Sequence, residues 1–305
     1  MDARPPSSPT RPEVDPTDWR PRRLPLAELV ATPLGLTRPA PHSLPAVFAS
    51  PHSGRLYPEE FLAQSRVSLD RLRHSEDAYM DLLMAAVPAL GAPLLAARFP
   101  RTLVDVNREP YEWDPALFEG QLPDQANSGS LRVRHGLGTL ARVVAGGEPI
   151  YDHRLPVAEG EARLADFYWP YHQALGGLIG ETRDLFGLCV LIDCHSMPGG
   201  AGRGGEGPDI VLGDCHGASA APELVAGLEK RLKGAGFRVV RNRPYAGGHT
   251  TQHYGRPGHK VHAVQVEVAR PLYMDPITLA PRPAFAHAAP LAEALVAGLR
   301  DVLGA

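Results

Sequence analysis

A chain of 305 residues, 44% hydrophobic and 21% charged with a formal net charge of -3, is long enough for one large α/β domain or two modest ones. That balance argues against a polyanion-binding surface and so against a nucleic-acid partner, and no apolar stretch approaches the roughly 18 residues of a membrane span. Three cysteines, Cys189, Cys194 and Cys215, are too few and too unevenly spaced for a disulfide framework or a cysteine-based zinc module, so they read as reduced thiols.

The N-terminus has no basic segment followed by an apolar one, so no secretory signal is expected and the cytoplasm is the expected location. Residues 1–45 contain eleven prolines and little periodicity, which predicts an extended or disordered arm ahead of a single domain at 46–305. The apolar run Ala46 to Ser50 predicts a buried strand that stops at Pro51-His52-Ser53-Gly54. Helical spacing of Tyr79, Leu82, Leu83, Ala86, Val87 and Leu90 predicts a helix over 75–90, with Ser75 as N-cap and Glu76 and Asp77 in its first turn. Strands are expected over 93–99 and 102–106, the second running into Asn107-Arg108, and residues 110–160 look like a long excursion over the surface. A helix over 161–186 should lead into the apolar run Leu188 to Ile192, a central strand ending at Asp193-Cys194-His195-Ser196. Strands over 209–212, 237–241 and 261–268 and helices over 220–234 and 284–302 complete the chain. The alternation predicts an α/β sheet with helices on both faces.

The chemistry-bearing residues cluster where predicted strands end, which is where open α/β sheets build their sites. His52 and His195, each beside a serine after an apolar strand, suit two ligands of a hydrolytic metal site, which needs about three His or carboxylate ligands and a water. Glu76 or Asp77 could supply the third, or both could simply complement a helix dipole. Glu267, inside Val264-Gln265-Val266-Glu267-Val268, is a carboxylate in an apolar strand, suited to a general base or else paired with a group such as Arg270. Asn107 and Arg108 could grip a carboxylate, and Arg101 could stabilise an oxyanion, unless each makes only a surface ion pair. The glycine-rich loop Tyr245 to Gly255 is loaded with donors, among them His249 and Thr251, and suits a substrate lid or pocket wall; it lacks the spacing of a phosphate loop.

Taken in order, Ser50-Pro51-His52-Ser53-Gly54, Arg101 through Asn107-Arg108, Asp193-Cys194-His195-Ser196 and Gly247-Gly248 through Tyr254-Gly255 to Glu267 resemble the N-formylglutamate amidohydrolase family, over about residues 46–275. The resemblance implies a zinc carboxypeptidase-like relationship and a three-layer α/β/α fold with a mixed, mostly parallel sheet. It implies zinc, or another divalent metal, on His52, His195 and an acidic residue that Asp77 matches best, with Glu76 as rival. It implies Glu267 as the catalytic base and Arg101 as the group polarising the scissile carbonyl. Asn107 and Arg108, with His249 and Thr251, are then expected to bind a small carboxylated substrate. One departure is Arg55, which stands where carboxypeptidases and aspartoacylases place a glutamate ligand three residues after the first histidine. The expected reaction is hydrolysis of N-formyl-L-glutamate to formate and L-glutamate. A hydrolase of another acyl-amino acid or peptide, and a non-catalytic carboxylate-binding protein, are the alternatives.

Overall fold

Alternation along the two longest strands sorts side chains between two cores and thereby decides where polar groups can gather. In the computed structural model, which describes residues 19–199, 207–282, 288 and 290–304, seven strands form one sheet. They are β1 (Leu34–Thr37), β2 (Ala46–Ser50), β3 (Leu94–Ala97), β4 (Cys189–Met197), β5 (Ile210–Gly213), β6 (Val239–Arg241) and β7 (Val261–Ala269), in the spatial order β6-β5-β7-β4-β2-β3-β1. Neighbours from β7 through β4 and β2 to β3 are parallel. The β5 strand runs antiparallel to β7, and β1 antiparallel to β3, so the sheet is mixed and mostly parallel as expected.

Three longer helices cover the sheet: α1 (Trp169–Phe186) on one face, α2 (Pro222–Gly234) and α3 (Leu291–Leu303) on the other. Along β4, Val190, Ile192 and Cys194 pack into the core beneath α2 and α3, with Val264, Val266 and Val268 of β7 beside them. Cys189 and Leu191 face the α1 side, with Val261 and Ala263. Continuing the alternation on that same side brings Asp193 and His195 of β4 opposite Gln265 and Glu267 of β7. The apolar pattern thus turns polar at the carboxyl end of both strands.

Several expectations need correction. Of the proline-rich arm, residues 1–18 lie outside the described residues, but the remainder is structured: Arg22–Leu24 is a strand, Leu26–Ala31 a helix with fully buried Leu29, and Leu34–Thr37 is the edge strand β1. Its prolines punctuate short elements instead of preventing them. The continuous helix over 75–90 is broken: Tyr79 has a left-handed φ of 66°, Met80–Leu83 is one short helix and Pro88–Leu90 a 3-10 turn. The periodic residues still pack on one core, because a succession of turns buries Tyr79, Leu83 and Val87 in it and leaves Leu82, Ala86 and Leu90 partly buried against it. No strand forms over 102–106; the chain turns there so that Asp105 and Asn107 point inward. The central strand is nine residues long, so His195 lies within β4 and not after it. The start of the expected helix over 284–302 falls partly on residues 283–287 and 289, which are outside the described residues; the helix proper is Leu291–Leu303.

Candidate active site

Because β2, β4 and β7 are parallel, their carboxyl ends share one edge of the sheet. His52 follows the end of β2, and His195 and Glu267 each occupy the seventh position of a nine-residue strand. Asp77 is brought in by the turn that replaces the expected helix start, where its N–H donates to the carbonyl of His52 at 3.0 Å. The result is a shared carboxylate: Asp77 Oδ2 lies 3.2 Å from His52 Nδ1 and 3.0 Å from His195 Nδ1. The two imidazole rings stand edge to face with centroids 4.8 Å apart.

These three residues, all buried, offer one ligand atom each within 4.8 Å of one another. The donor set fits a divalent metal. Bonds of about 2.0–2.1 Å in tetrahedral arrangement separate ligand atoms by roughly 3.3 Å, close to the two Nδ1 to Oδ2 separations. Each histidine is also braced on its far nitrogen: His52 Nε2 is 2.8 Å from Asp105 Oδ1, and His195 Nε2 is 3.0 Å from Asp193 Oδ2. A carboxylate behind a ligating imidazole fixes its tautomer and raises its basicity. Glu76 is not in the cluster. It accepts from Tyr57 Oη at 2.6 Å and faces Arg73, and its burial pushes it up to about 7.

Electrostatics separate the carboxylates into two kinds. Burial opposes charge on Asp77, yet hydrogen bonds to His195 and His52 hold it well below its ordinary value. Asp105 behaves likewise, with Arg101 and Arg108 outweighing its burial. His195 is raised well above its ordinary value because Asp193 and Asp77 outweigh its desolvation. Glu267 differs: burial pushes it up to about 7 against the opposing pull of His195 and Arg101, and Gln265 Nε2 donates to its Oε1 at 2.7 Å. A carboxyl poised near neutrality is suited to accept and return a proton.

The cluster and Glu267 open into a cavity of about 510 Å³. Its wall includes Arg101, Asn107, Arg108, Tyr245, Gly247 and Gly248. Arg101 Nη2 donates to Asp105 Oδ2 at 2.7 Å, and Arg108 donates to the carbonyls of Leu137 and Asn107 at 3.1 and 2.8 Å. Burial brings Arg108 down to about 10, although Asp105 opposes the shift.

A scan against family models matches residues 44–274 to the N-formylglutamate amidohydrolase family. The chain belongs to this family. It is 35% identical to an N-formylglutamate deformylase of Pseudomonas aeruginosa over 269 residues, covering 85% of this chain and 91% of that one. It is 31% identical to an N-formylglutamate deformylase of Pseudomonas putida over 237 residues, covering 76% and 82%. The crystal structure of an N-formylglutamate amidohydrolase from Ralstonia eutropha JMP134 superposes with a TM-score of 0.81 at 36% identity, covering 89% of this chain and 97% of that one. A gene product of Agrobacterium tumefaciens shares the fold at a TM-score of 0.62 and 20% identity.

Every site residue named in the sequence lies inside the span matched to the amidohydrolase family, but the structure distributes them unevenly. His52, Asp77, His195, Arg101, Asn107, Arg108 and Glu267 line one cavity. Asn107 is held through its Oδ1, which accepts from Thr250 N at 2.8 Å, and its Nδ2 packs 3.2 Å from His195 Nε2, the nitrogen that faces Asp193. Gly248 packs so closely on it that a Cβ there would lie 2.4 Å from Nδ2. His249 and Thr251, expected to touch substrate, do not line the cavity. Thr251 is fully buried with its hydroxyl 3.5 Å from Gln265 Oε1, and His249 faces Tyr168 at 3.4 Å on the short helix His249–Tyr254. The sequence reading missed Asp105 and Asp193 as braces of the histidines, and Gln265 as partner of Glu267. It also missed Ser196 and Arg270, which approach Asp77 Oδ1 at 2.9 and 3.5 Å. Arg270, weighed as a partner of Glu267, instead serves Asp77 and the carbonyls of His74 and Glu76.

Proposed function

We propose that this protein is a zinc amidohydrolase that converts N-formyl-L-glutamate to formate and L-glutamate, with His52, Asp77 and His195 as the metal ligands. The observation that carries this reading is the buried His-Asp-His cluster sharing a cavity with Glu267, in a chain 35% identical to an N-formylglutamate deformylase. A zinc ion held there supplies a Lewis acid that acidifies water and polarises the formyl carbonyl, although iron, cobalt or manganese suit the same donors.

The protein's own groups account for the proton traffic. Glu267 takes a proton from the attacking water as the new C–O bond forms, and returns it to the amine nitrogen as the C–N bond breaks. Arg101, clamped by Asp105, offers its guanidinium to the oxygen that gathers negative charge. Arg108 receives the α-carboxylate, and Asn107 holds the Gly248 loop beside it through Thr250 N. A place beside the zinc carboxypeptidases and aspartoacylases is part of this reading through the family resemblance alone. The departure at Arg55 is absorbed by its pairing with Asp81, outside this cavity. The three thiols are free, which suits the cytoplasmic location this reading includes; among the described residues no helix is long and apolar enough to cross a membrane.

The test is release of formate from N-formylglutamate by zinc-loaded protein, beside N-acetylglutamate and short peptides, before and after chelation. Chelator-sensitive formate release supports the reading. Peptide cleavage without it would assign the chain another hydrolytic reaction, and ligand binding without any turnover would leave a carboxylate-binding protein.

A further inference from the structure

Four arginines line the cavity, and three of them already have work within the protein. Arg101 is clamped by Asp105, Arg108 by two carbonyls with Asp105 3.5 Å away, and Arg270 by Ser196, Asp77 and two carbonyls. The fourth, Arg132, has no hydrogen bond or ion pair from its side chain to any described residue. It rides on the short helix Leu131–Arg134, fixed by the Ser130 cap whose hydroxyl accepts from Val133 N at 3.1 Å. This helix belongs to the excursion over 110–160, to which the sequence reading assigned no chemistry.

We propose that Arg132 binds the side-chain carboxylate of the substrate and so sets the preference for an acidic amino acid. The assignment rests on the reading of the protein as an N-formylglutamate hydrolase. A substrate of that class carries two carboxylates at different distances from the scissile bond. The α-carboxylate is attached one carbon from the amide nitrogen, so its partner belongs near the cluster, where Arg108 is joined to His52 through Asp105. The side-chain carboxylate lies further out and needs a second cation. Arg132 is that cation: it is near enough to Arg108 and His249 for its charge to lower both, yet it touches none of the acidic groups around the cluster. Leu137, Gly138, Ala141 and Val143 form an apolar stretch of the same wall, suited to the methylenes between the two carboxylates. A guanidinium with no counterion among the described residues can grip a planar anion by two parallel hydrogen bonds.

The experiment compares kcat/KM for N-formylglutamate, N-formylglutamine and N-formylisoglutamine in the zinc-loaded protein and in Arg132→Ala and Arg132→Lys. N-formylglutamine keeps only the α-carboxylate and N-formylisoglutamine only the side-chain one. Arg132→Ala should lower kcat/KM for the two substrates bearing the side-chain carboxylate by on the order of 100-fold. The drop for N-formylglutamine should be far smaller, and Arg132→Lys should recover part of the preference. Arg132 is partly exposed, so folding of the variants is checked by an unshifted Tm. An equal fall for all three substrates, no fall, or a fall confined to N-formylglutamine would overturn the assignment. Failure of the unaltered protein to cleave N-formylglutamate would overturn the functional reading and this assignment together, and is read directly from the unaltered arm.

Discussion

Asp77 is the residue on which the cluster turns, because one of its oxygens faces both imidazoles while the other takes Ser196 and Arg270. An Asp77→Asn change keeps the size but removes the charge, so stoichiometric zinc by elemental analysis should be lost. Glu76→Gln should retain it, since Glu76 faces Tyr57 and Arg73. Glu267→Gln should hold zinc and still lose turnover by about 10²- to 10⁴-fold in a formate-release assay. The pH dependence follows from the state Glu267 must have. A base acts as the carboxylate, and this carboxyl is raised to about 7, so kcat/KM should fall as pH drops below that value and level off above it. A bound cation nearby favours the carboxylate and would place that limb below 7; a limb above 7 in the zinc-loaded protein contradicts the role. His52, His195 and Glu267 were legible in the sequence because each interrupts or ends an apolar strand, where a polar group is costly without a purpose. Asp105 and Asp193 were not: Asp105 fell inside a strand expected over 102–106 that does not form, and Asp193, opening a polar run, looks like any turn residue until the fold sets it behind an imidazole.

At the level of elements, the site depends on turns that periodicity does not reveal. The apolar spacing over 75–90 reported burial correctly and helical geometry wrongly, since several tight turns can present the same residues as a helix would. That difference matters to the site, because the Asp77 N–H donates to the carbonyl of His52 and so ties two members of the cluster together. The Gly248 loop is a second such element. A methyl at this position would drive into the Asn107 amide, which is itself 3.2 Å from His195. Gly248→Ala should therefore lower kcat/KM by about 100-fold through misplacement of groups by about an ångström, while zinc content stays stoichiometric. Unaltered kinetics in that variant would show that the loop yields freely. The strands β4 and β7 were legible to within a few residues, because a buried parallel strand is a nearly continuous apolar run.

Across the whole molecule, the cluster joins segments 25 and 118 residues apart along the chain, so a bound ion links folding to occupancy. Zinc at a hundredfold over its dissociation constant should stabilise the fold by about 2.7 kcal/mol, seen as a Tm that rises on zinc addition and falls on chelation. His195→Ala should abolish the rise; a rise that persists would place the stabilising ion elsewhere. The fold class was readable from the alternation of strand and helix, whereas the order of strands was not. Local patterning does not specify that β5 enters antiparallel beside β7, because both orientations bury the same residues.

The edge strand β1 has one more effect. It lies along β3 as the last strand of the sheet, between Pro33 and Pro39, and prolines have no N–H with which to recruit a further strand. The segment that carries it thus acts as a guard against self-association. A protein trimmed to begin at residue 46 would present β3 as a bare, apolar rim and should form strand-paired aggregates visible by light scattering, even with every catalytic group in place.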